Sequence, residues 1–320
     1  MKLVMNKDRS INQVTVTTSA RLHMGFFDLS GSICKFGSLG MRLDAPCTQI
    51  TLAKTDNRLI EAEYSEQVTK LVQNLVNAFN IERKFSLTMQ QNIPAHAGLG
   101  SGTQLALAIG VGLSHLFNLE LSIMRIASVA KRGKRSGIGV AAFTQGGVIV
   151  DSGLISDELP QIALRQNFPE NWRVLLVTDS ASKGVHGKAE LQAFSLLKPA
   201  KNSLRDMMFK HMIPALQQSD LLAFGAYMQD LQAYNGEYFA PVQGGHYASG
   251  DVAEVLVWLQ NNGAACVGQS SWGPTGFAIL SSAEHAENLK NQAQLAFANK
   301  ANISFTICSG NNTGATISTS

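Results

Sequence analysis

A glycine-rich segment near position 100 is the part of the sequence best suited to bind an anion. It reads Pro-Ala-His-Ala-Gly-Leu-Gly-Ser-Gly-Thr-Gln from Pro94 to Gln104, between an alternating apolar pattern and an apolar helical one. Glycine lets the backbone turn with positive φ and approach a ligand closely, and the N–H groups at a helix start favour phosphate. We therefore predict that substrate phosphates bind to Gly98, Gly100, Ser101, Gly102 and Thr103.

This segment differs from two common phosphate-binding loops. No Gly-Lys-Ser/Thr ends it, as in a Walker loop, and its third glycine comes one residue too early for G-x-G-x-x-G. A strand-to-helix turn without any ligand is the alternative.

A second candidate is the basic run at positions 132–139, Arg-Gly-Lys-Arg-Ser-Gly-Ile-Gly. The planar guanidinium of Arg135 can hold a phosphate or a carboxylate with two parallel hydrogen bonds. We predict that Arg135 is catalytic and that Ser136 beside it binds substrate. The alternative is a solvated basic helix end.

A third candidate lies just after the first predicted strand, where Arg21, His23 and Asp28 fall within eight residues. These side chains can bind an anion, move a proton and hold a metal ion. Gly25 and the polar residues up to position 41 predict a loop here. We expect all three residues to be catalytic, and Asp28 also to bind a metal together with the Ser101 hydroxyl.

Weaker candidates come from the second half of the chain. Lys183, His186 and Gln243 occur beside glycines and are predicted to bind substrate, and the loop at 268–276 has the composition of one that closes over a ligand. The other histidines have no partners in sequence and are interpreted as structural: His96, His115, His211 and His285.

The elements that must position these residues form two α+β layers, with a boundary near 153–172. Alternating patterns predict strands at 14–18, 49–52, 85–89, 148–150, 174–178, 265–268, 276–280 and 303–308. Three- and four-residue spacing predicts helices at 65–80, 103–117, 122–131, 204–217, 221–234, 252–261 and 283–299.

Composition excludes several classes of protein. The chain has 320 residues, 45% apolar and 15% charged, with a formal net charge of +3. This suits a small anionic substrate and lacks the dense basic stripe of a nucleic-acid-binding protein. Four separated cysteines favour reduced thiols. No apolar signal segment and no membrane-spanning stretch is visible, so we expect a cytoplasmic enzyme without membrane partners.

Taken together, the motifs resemble the GHMP kinase superfamily over nearly the whole chain. The segment from Pro94 to Gln104 is similar to its phosphate loop, and 268–276 to its glycine-containing C-terminal motif. The resemblance implies an α+β, GHMP-kinase-like two-domain fold. An N-terminal mixed-sheet domain would span 1–160, and a ferredoxin-like C-terminal domain would span 161–320.

One position departs from that resemblance. Many members carry S-G-x-D where this chain has Ser136-Gly137-Ile138-Gly139, and the aspartate serves as the base for the phosphoryl acceptor. Gly139 offers no carboxylate, so the usual kinase mechanism lacks its base.

A narrower resemblance accounts for the departure. The runs at 21–29, 132–147 and 184–190 are together similar to beta-ribofuranosylaminobenzene 5'-phosphate synthases. The resemblance implies condensation of phosphoribosyl pyrophosphate with 4-aminobenzoate or 4-hydroxybenzoate, with loss of CO2 and pyrophosphate. It also implies a place in tetrahydromethanopterin biosynthesis, Mg2+ as cofactor, and a homodimer.

The same resemblance suggests roles for the polar residues. Arg21 or Arg135 would hold pyrophosphate or the benzoate carboxylate, and Asp28 would hold Mg2+ or support the ribosyl cation. His23 would handle a proton or orient the arene. Two alternatives stay open: an ATP-dependent kinase, and a catalytically silent phosphate-binding regulator.

Overall fold

The computed structural model describes residues 11–30, 36–56, 59–60, 65–153, 160–182, 184 and 195–320. The strands are β1 (Gln13–Asp28), β2 (Gly37–Lys54), β3 (Leu59–Ile60), β4 (Phe85–Gln91), β5 (Val148–Asp151), β6 (Ile162–Gln166), β7 (Arg173–Asp179), β8 (Cys266–Gln269), β9 (Gly276–Leu280), β10 (Ile303–Cys308) and β11 (Thr316–Thr319).

The helices are α1 (Glu66–Ala78), α2 (Ser101–Phe117), α3 (Ile123–Val129), α4 (Ile138–Thr144), α5 (Arg205–Met207), α6 (Ile213–Gln217), α7 (Leu221–Gln243), α8 (Gly250–Asn261) and α9 (Ala283–Ala296). A π-helical turn, Met208–Met212, joins α5 to α6.

The first sheet is mixed. Its order is β11-β1-β2-β4-β3, and β5 pairs with both β2 and β6. The β3–β4 pair is parallel and the other pairs are antiparallel. Helix α2 packs its apolar side chains, such as Leu107 and Leu113, against Val16 and Leu52 of the sheet. This burial fixes the start of α2, and with it the glycine-rich segment, beside Arg21 near the middle of β1.

The second sheet is antiparallel, in the order β10-β7-β9-β8. With its helices it follows the chain as β7, helices, β8, β9, α9 and β10, which is the ferredoxin-like arrangement. Alternate residues of β7 enter different cores: Val174 and Leu176 face the first sheet, whereas Leu175 and Val177 face α8 and α9. The predicted fold class, a mixed-sheet domain followed by a ferredoxin-like domain, is confirmed.

One core joins the two sheets. Leu22 and Met24 of β1 pack in the same buried cluster as Phe277 of β9 and Met228 of α7. The division into 1–160 and 161–320 stays a prediction. Strands β6 and β11 belong to the first sheet, although both come after position 160 in the chain.

The prediction of a loop from position 21 to 41 is wrong for the residues of this range that the structure describes. Residues 21–28 continue β1, and 37–41 begin β2. The register of the two strands shifts three times along this stretch, including between His23 and Gly25. Each irregularity offsets the alternation of side chains, which is why the strand does not show in the pattern.

Smaller features complete the comparison with the sequence. Residues 138–144 form helix α4, whereas the sequence predicts a loop up to position 139. Helix α7 extends to Gln243 instead of ending at 234. Within the described ranges, Cys47, Cys266 and Cys308 are free thiols, as expected, and no helix is long and apolar enough to cross a bilayer.

Candidate active site between the two sheets

The glycine-rich segment turns into α2 with its backbone amides exposed at the helix start. Gly100 precedes the helix in the left-handed conformation, with φ of 78°, and Gly98 has φ of 79°. No side chain of the described residues caps the helix, and its first turn contains no acidic residue. The amides of Ser101 and Gly102 are therefore placed to receive an anion, with the helix dipole adding to the attraction.

Gly98 cannot be replaced without moving the backbone. A Cβ atom there would lie 2.4 Å from the Ser270 carbonyl oxygen and 2.8 Å from the Gly273 Cα atom. The phosphate loop (residues 95–103) thus packs backbone to backbone on the loop after β8. Gly184 packs on the same two loops, and its N–H donates to the His96 carbonyl at 3.3 Å.

Two arginines flank the phosphate loop. Arg21 Nη1 donates to the Gly98 carbonyl at 2.7 Å, and the side chain lies against Gly100. The Arg132 guanidinium lies 3.1 Å from where a Cβ of Gly102 would stand. Its Nε is buried and has no hydrogen-bond partner among the described residues. Burial lowers the pKa of Arg132, but an arginine stays charged near neutral pH, so the loop carries two adjacent cations.

An open cleft lies in front of this loop. Besides the arginines, its polar described lining residues are Ser65, Gln67, Asn92, His96, Ser101 and Thr103. Proteins commonly hold Mg2+ in phosphate sites by one or two carboxylates plus the phosphates. The described lining supplies no carboxylate, and the described ranges hold no cluster of three potential metal ligands. These residues do not form a Mg2+ site by themselves.

Gly139 lies beside Thr103 of the phosphate loop. A Cβ on Gly139 would lie 3.1 Å from Thr103 Cγ2. The Gly139 carbonyl accepts from Gln104 Nε2 at 2.8 Å, and Gln104 Oε1 accepts from the Thr18 hydroxyl at 2.6 Å. The backbone at Gly139 is therefore held next to the phosphate loop, and it offers no carboxylate there.

Ser136 and Gly137, which come just before α4, belong to a buried hydrogen-bond network. Ser136 hydrogen-bonds to Ser38 Oγ at 2.8 Å and donates to Asp151 Oδ2 at 2.9 Å. The same carboxylate accepts the Gly137 N–H at 2.8 Å. Burial raises the pKa of Asp151, against the effect of these hydrogen bonds. Ser136, predicted to bind substrate, is engaged in this buried network and does not line the cleft.

Arg135 does not line the cleft either; Arg132, three positions earlier, does. Lys131 takes a left-handed conformation, with φ of 55°, and the Arg132 N–H donates back to the Ala127 carbonyl at 2.8 Å. This tight end of α3 turns Arg132 toward the phosphate loop. Residue type alone does not distinguish the two arginines.

His23 lies in a second, narrow cavity on the other side of β1's contact with the phosphate loop. Its side chain is 3% exposed, and neither ring nitrogen has a hydrogen-bond partner in the described structure. Burial, and secondarily the charge of Arg21, lowers the pKa of His23 to about 3. At neutral pH this imidazole is uncharged.

The walls of this cavity combine aromatic rings with amide side chains, among them Gln232, Asn235 and Gln269. They include Phe26 of β1, Phe239 of α7 and Trp272 of the loop after β8, while Gln243 and His246 stand at its rim. Gln243 is thus placed beside His23, on a helix that the sequence predicts to end earlier. The Gln243 amide donates to the His246 carbonyl at 3.0 Å.

Asp28 is not brought to the phosphate loop. It lies seven residues beyond Arg21 on β1, roughly 20 Å at the rise of an extended strand. Its carboxylate is buried and accepts from the Ser30 hydroxyl at 2.7 Å. The structure does not bring Asp28 and Ser101 together as ligands of one ion. Lys183 and His186 lie outside the described residues.

Sequence reasoning missed Ser270, which connects the two sites. Its hydroxyl accepts a hydrogen bond from the backbone N–H of His23 at 3.1 Å and donates one to the Gly98 carbonyl at 2.7 Å. The one available signal was the composition of the loop at 268–276, which does not single out this serine.

Family models match both halves of the chain. The model described as GHMP kinases N terminal domain matches residues 66–147, and that described as GHMP kinases C terminal matches residues 212–299. The first match includes the phosphate loop and Gly139, and the second includes the loop after β8.

Two archaeal relatives share the name beta-ribofuranosylphenol 5'-phosphate synthase. The one from Methanocaldococcus jannaschii is 31% identical, covering 82% of this chain and 88% of the relative. The one from Archaeoglobus fulgidus is 30% identical, covering 83% and 87%.

Among solved structures, homoserine kinase from Cytophaga hutchinsonii aligns with a TM-score of 0.66 at 16% identity. The alignment covers 99% of this chain and 100% of the kinase. At that identity the likeness concerns the fold alone.

Proposed function

The chain belongs to the GHMP kinase superfamily and, within it, to the pentosyltransferase family of the beta-ribofuranosylphenol 5'-phosphate synthases; from this premise we propose its reaction. The enzyme condenses phosphoribosyl pyrophosphate with 4-hydroxybenzoate or 4-aminobenzoate and releases CO2 and pyrophosphate. The name of the relatives favours 4-hydroxybenzoate, because its decarboxylative condensation gives the phenol. The product is the arene–ribose intermediate of tetrahydromethanopterin biosynthesis.

The proposed reaction balances without an external acid or base. The bond from ribose C1 to pyrophosphate breaks, and its electron pair leaves with the pyrophosphate. Ring electrons of the arene form the new C–C bond at the carbon that bears the carboxylate. The bond to the carboxylate then breaks, its electron pair restores the aromatic ring, and CO2 departs.

The enzyme must therefore stabilise negative charge on the leaving group. In the proposal, the amides of Ser101 and Gly102 bind donor phosphate oxygens, together with the Thr103 hydroxyl. Arg21 and Arg132 lie next to these groups and neutralise the charge that grows on pyrophosphate. Fixed donors and cations aimed at a developing charge are an effective catalytic device.

The observation that carries the proposal is the replacement of a base by two cations at the phosphate loop. A kinase needs a group that polarises the attacking hydroxyl. Gly139 has no side chain beside Thr103, and the described cleft lining adds arginines but no carboxylate. This arrangement suits departure of an anion better than activation of an alcohol.

Mg2+ remains part of the proposal as a companion of the donor. It would supply charge neutralisation at pyrophosphate, while the described residues contribute hydroxyl groups and no carboxylate. A homodimer remains an expectation from the resemblance, and a cytoplasmic location remains an expectation from the sequence.

The test is incubation of the purified protein with phosphoribosyl pyrophosphate, Mg2+ and either aromatic acid labelled in its carboxyl carbon. The proposal predicts labelled CO2 that depends on the donor. A parallel incubation with ATP and a panel of alcohols tests the kinase alternative. Phosphorylated alcohol without any CO2 release would reject the proposal.

A further inference from the structure

The cavity around His23 contains a buried imidazole without a hydrogen-bond partner in the described structure. The imidazole is 3% exposed, yet neither nitrogen has a hydrogen-bond partner among the described residues. Leaving a buried donor and acceptor unpaired is unfavourable. A side chain held in this way is suited to a ligand that supplies the missing partner.

An uncharged polar group is the ligand group that best matches His23. The imidazole is neutral near neutral pH, since burial and Arg21 oppose its protonation, so it cannot form an ion pair with a carboxylate. A hydroxyl or amino group can instead donate a hydrogen bond to one ring nitrogen, or accept one from the other.

The aromatic rings in the lining of the cavity favour a ligand that is itself a flat ring. The Phe26 ring centroid lies 4.6 Å from that of His23, and the Phe239 and Trp272 centroids are 4.6 Å apart. Phe26, Phe239 and Trp272 are 5%, 8% and 4% exposed. Aromatic rings pack edge-to-face or offset against such walls.

The cavity adjoins the donor site through one residue. The Ser270 hydroxyl accepts a hydrogen bond from the backbone N–H of His23 and donates one to the Gly98 carbonyl. His23 follows Arg21 by two residues on β1, roughly 7 Å at the rise of a strand. A para-disubstituted benzene ring is long enough to extend from the region of the phosphate loop to His23.

We propose that this cavity binds the aromatic acid, with its para hydroxyl or amino group against His23 and its carboxylate-bearing carbon toward the phosphate loop. The inference rests on the proposed function. It adds that neutral His23 selects arenes with a para hydrogen-bonding group. That group is also the one that makes the ring nucleophilic by releasing electrons into it.

The hydrogen bond to His23 strengthens as the reaction proceeds. When the ring attacks ribose C1, positive charge spreads to the para oxygen or nitrogen, and its hydrogen becomes more acidic. A neutral imidazole stabilises that hydrogen better than a charged one. Loss of CO2 then returns the electrons to the ring, so no net proton transfer is required.

The test is calorimetric titration of the full chain with 4-hydroxybenzoate, 4-aminobenzoate and benzoate. We expect the first two to bind about 10-fold more tightly than benzoate, which corresponds to one buried hydrogen bond. His23→Phe should bind all three equally, whereas His23→Gln, which keeps hydrogen-bonding groups, should retain part of the preference. His211→Phe, on a histidine stacked against Tyr227 outside the cavity, should match the wild type.

Equal binding of benzoate and 4-hydroxybenzoate by the wild type, or an unchanged preference in a folded His23→Phe protein, would overturn the inference. The labelled-CO2 assay separates this outcome from failure of the proposed function. Selective binding without donor-dependent CO2 would leave the cavity assignment standing and reject the reaction. CO2 release together with an unchanged preference in His23→Phe would reject the cavity assignment and leave the reaction standing.

Discussion

The phosphate-loop cleft and the His23 cavity are built from the same strand yet have opposite electrostatics. Arg21 points its charge at the open cleft, whereas His23, two residues on, is buried and neutral. Amides, hydroxyls and guanidinium groups line the first site, whereas aromatic rings and uncharged amide side chains line the second. The difference separates two tasks: one region stabilises charge that leaves, and the other keeps an electron-rich ring away from charge.

The two regions are held in register by contacts across the sheets. Gly98 packs on Gly273 with no room for a side chain, and Ser270 hydrogen-bonds to both β1 and the phosphate loop. A change at this contact should disturb both regions, whereas a change within one region should affect only its own ligand.

The largest effect is expected from Gly98→Ala. The added methyl would meet the Ser270 carbonyl at 2.4 Å, at a φ that L-residues rarely adopt. We expect at least a ~100-fold loss of kcat/KM for the donor, since each ~1.4 kcal/mol is a factor of ten. The control is Gly263→Ala, where φ is also positive but the nearest atom lies 3.6 Å away; equal losses in both variants would contradict the contact.

The next effect separates the two arginines of one turn. Arg132→Ala should raise the KM for phosphoribosyl pyrophosphate roughly 10- to 100-fold, the range for a charge-assisted hydrogen bond to an anion. Binding of 4-hydroxybenzoate in calorimetry should change little. Lys134→Ala, an exposed lysine of the same turn, provides the control. A larger effect from Arg135→Ala than from Arg132→Ala would show that the wrong arginine is placed at the donor.

The neutrality of His23 can be tested through stability. Its folded pKa of about 3 lies below the ordinary value of 6.5, so between these values the unfolded chain binds more protons than the folded one. The free energy of unfolding should therefore fall as the pH falls from 6.5 toward 3. Among the residues that the structure describes, two titratable ones face His23: Arg21 on the same strand and His246 in the lining of the cavity.

The measurement compares urea unfolding of the wild type and His23→Gln at pH 6 and pH 5. Between pH 6 and pH 5, the free energy of unfolding should fall by about 1 kcal/mol more in the wild type than in the variant. This difference is close to the largest that the uptake of one proton can cause over one pH unit. Equal losses would mean that His23 is protonated in the folded protein, and the contrast between the two regions would disappear.

The smallest effect concerns the position where kinases carry their base. Gly139→Asp would add a carboxylate beside Thr103, at the donor phosphates. Donor KM should rise by a few-fold relative to Gly139→Asn, which has the same size and no charge, because like charges in a partly solvated site repel by about 1 kcal/mol. An Asp variant that binds the donor as well as the Asn variant would place the phosphates elsewhere.

The donor region was easier to predict from sequence than the arene region. The phosphate loop is local: its glycines, hydroxyls and helix start follow one another, so the spacing carries the chemistry. The strands and helices of the second half were also predicted, because their apolar residues follow regular spacing, whereas their ferredoxin-like arrangement was implied by the resemblance.

The His23 cavity could not be assembled from sequence, because its walls come from β1, α7 and the loop after β8. The course of β1 was hidden by its three register shifts, although Ala20, Leu22 and Met24 do alternate as buried residues. Choosing Arg132 over Arg135 required the left-handed turn at Lys131, and φ at a lysine is not encoded by its type. Strand β11 was missed because its four residues are exposed and carry no hydrophobic pattern.

The central claim is that the phosphate loop binds a ribosyl donor whose pyrophosphate leaves as the arene loses CO2. The most direct measurement quantifies pyrophosphate and labelled CO2 in the same reaction mixture, with the product identified by mass. The account predicts equal amounts of the two, a ribosyl-phenol or ribosyl-aniline phosphate, and formation of both at least ~100-fold slower at limiting donor in Gly98→Ala. Pyrophosphate released in the wild type without CO2, or CO2 without the donor, would contradict it.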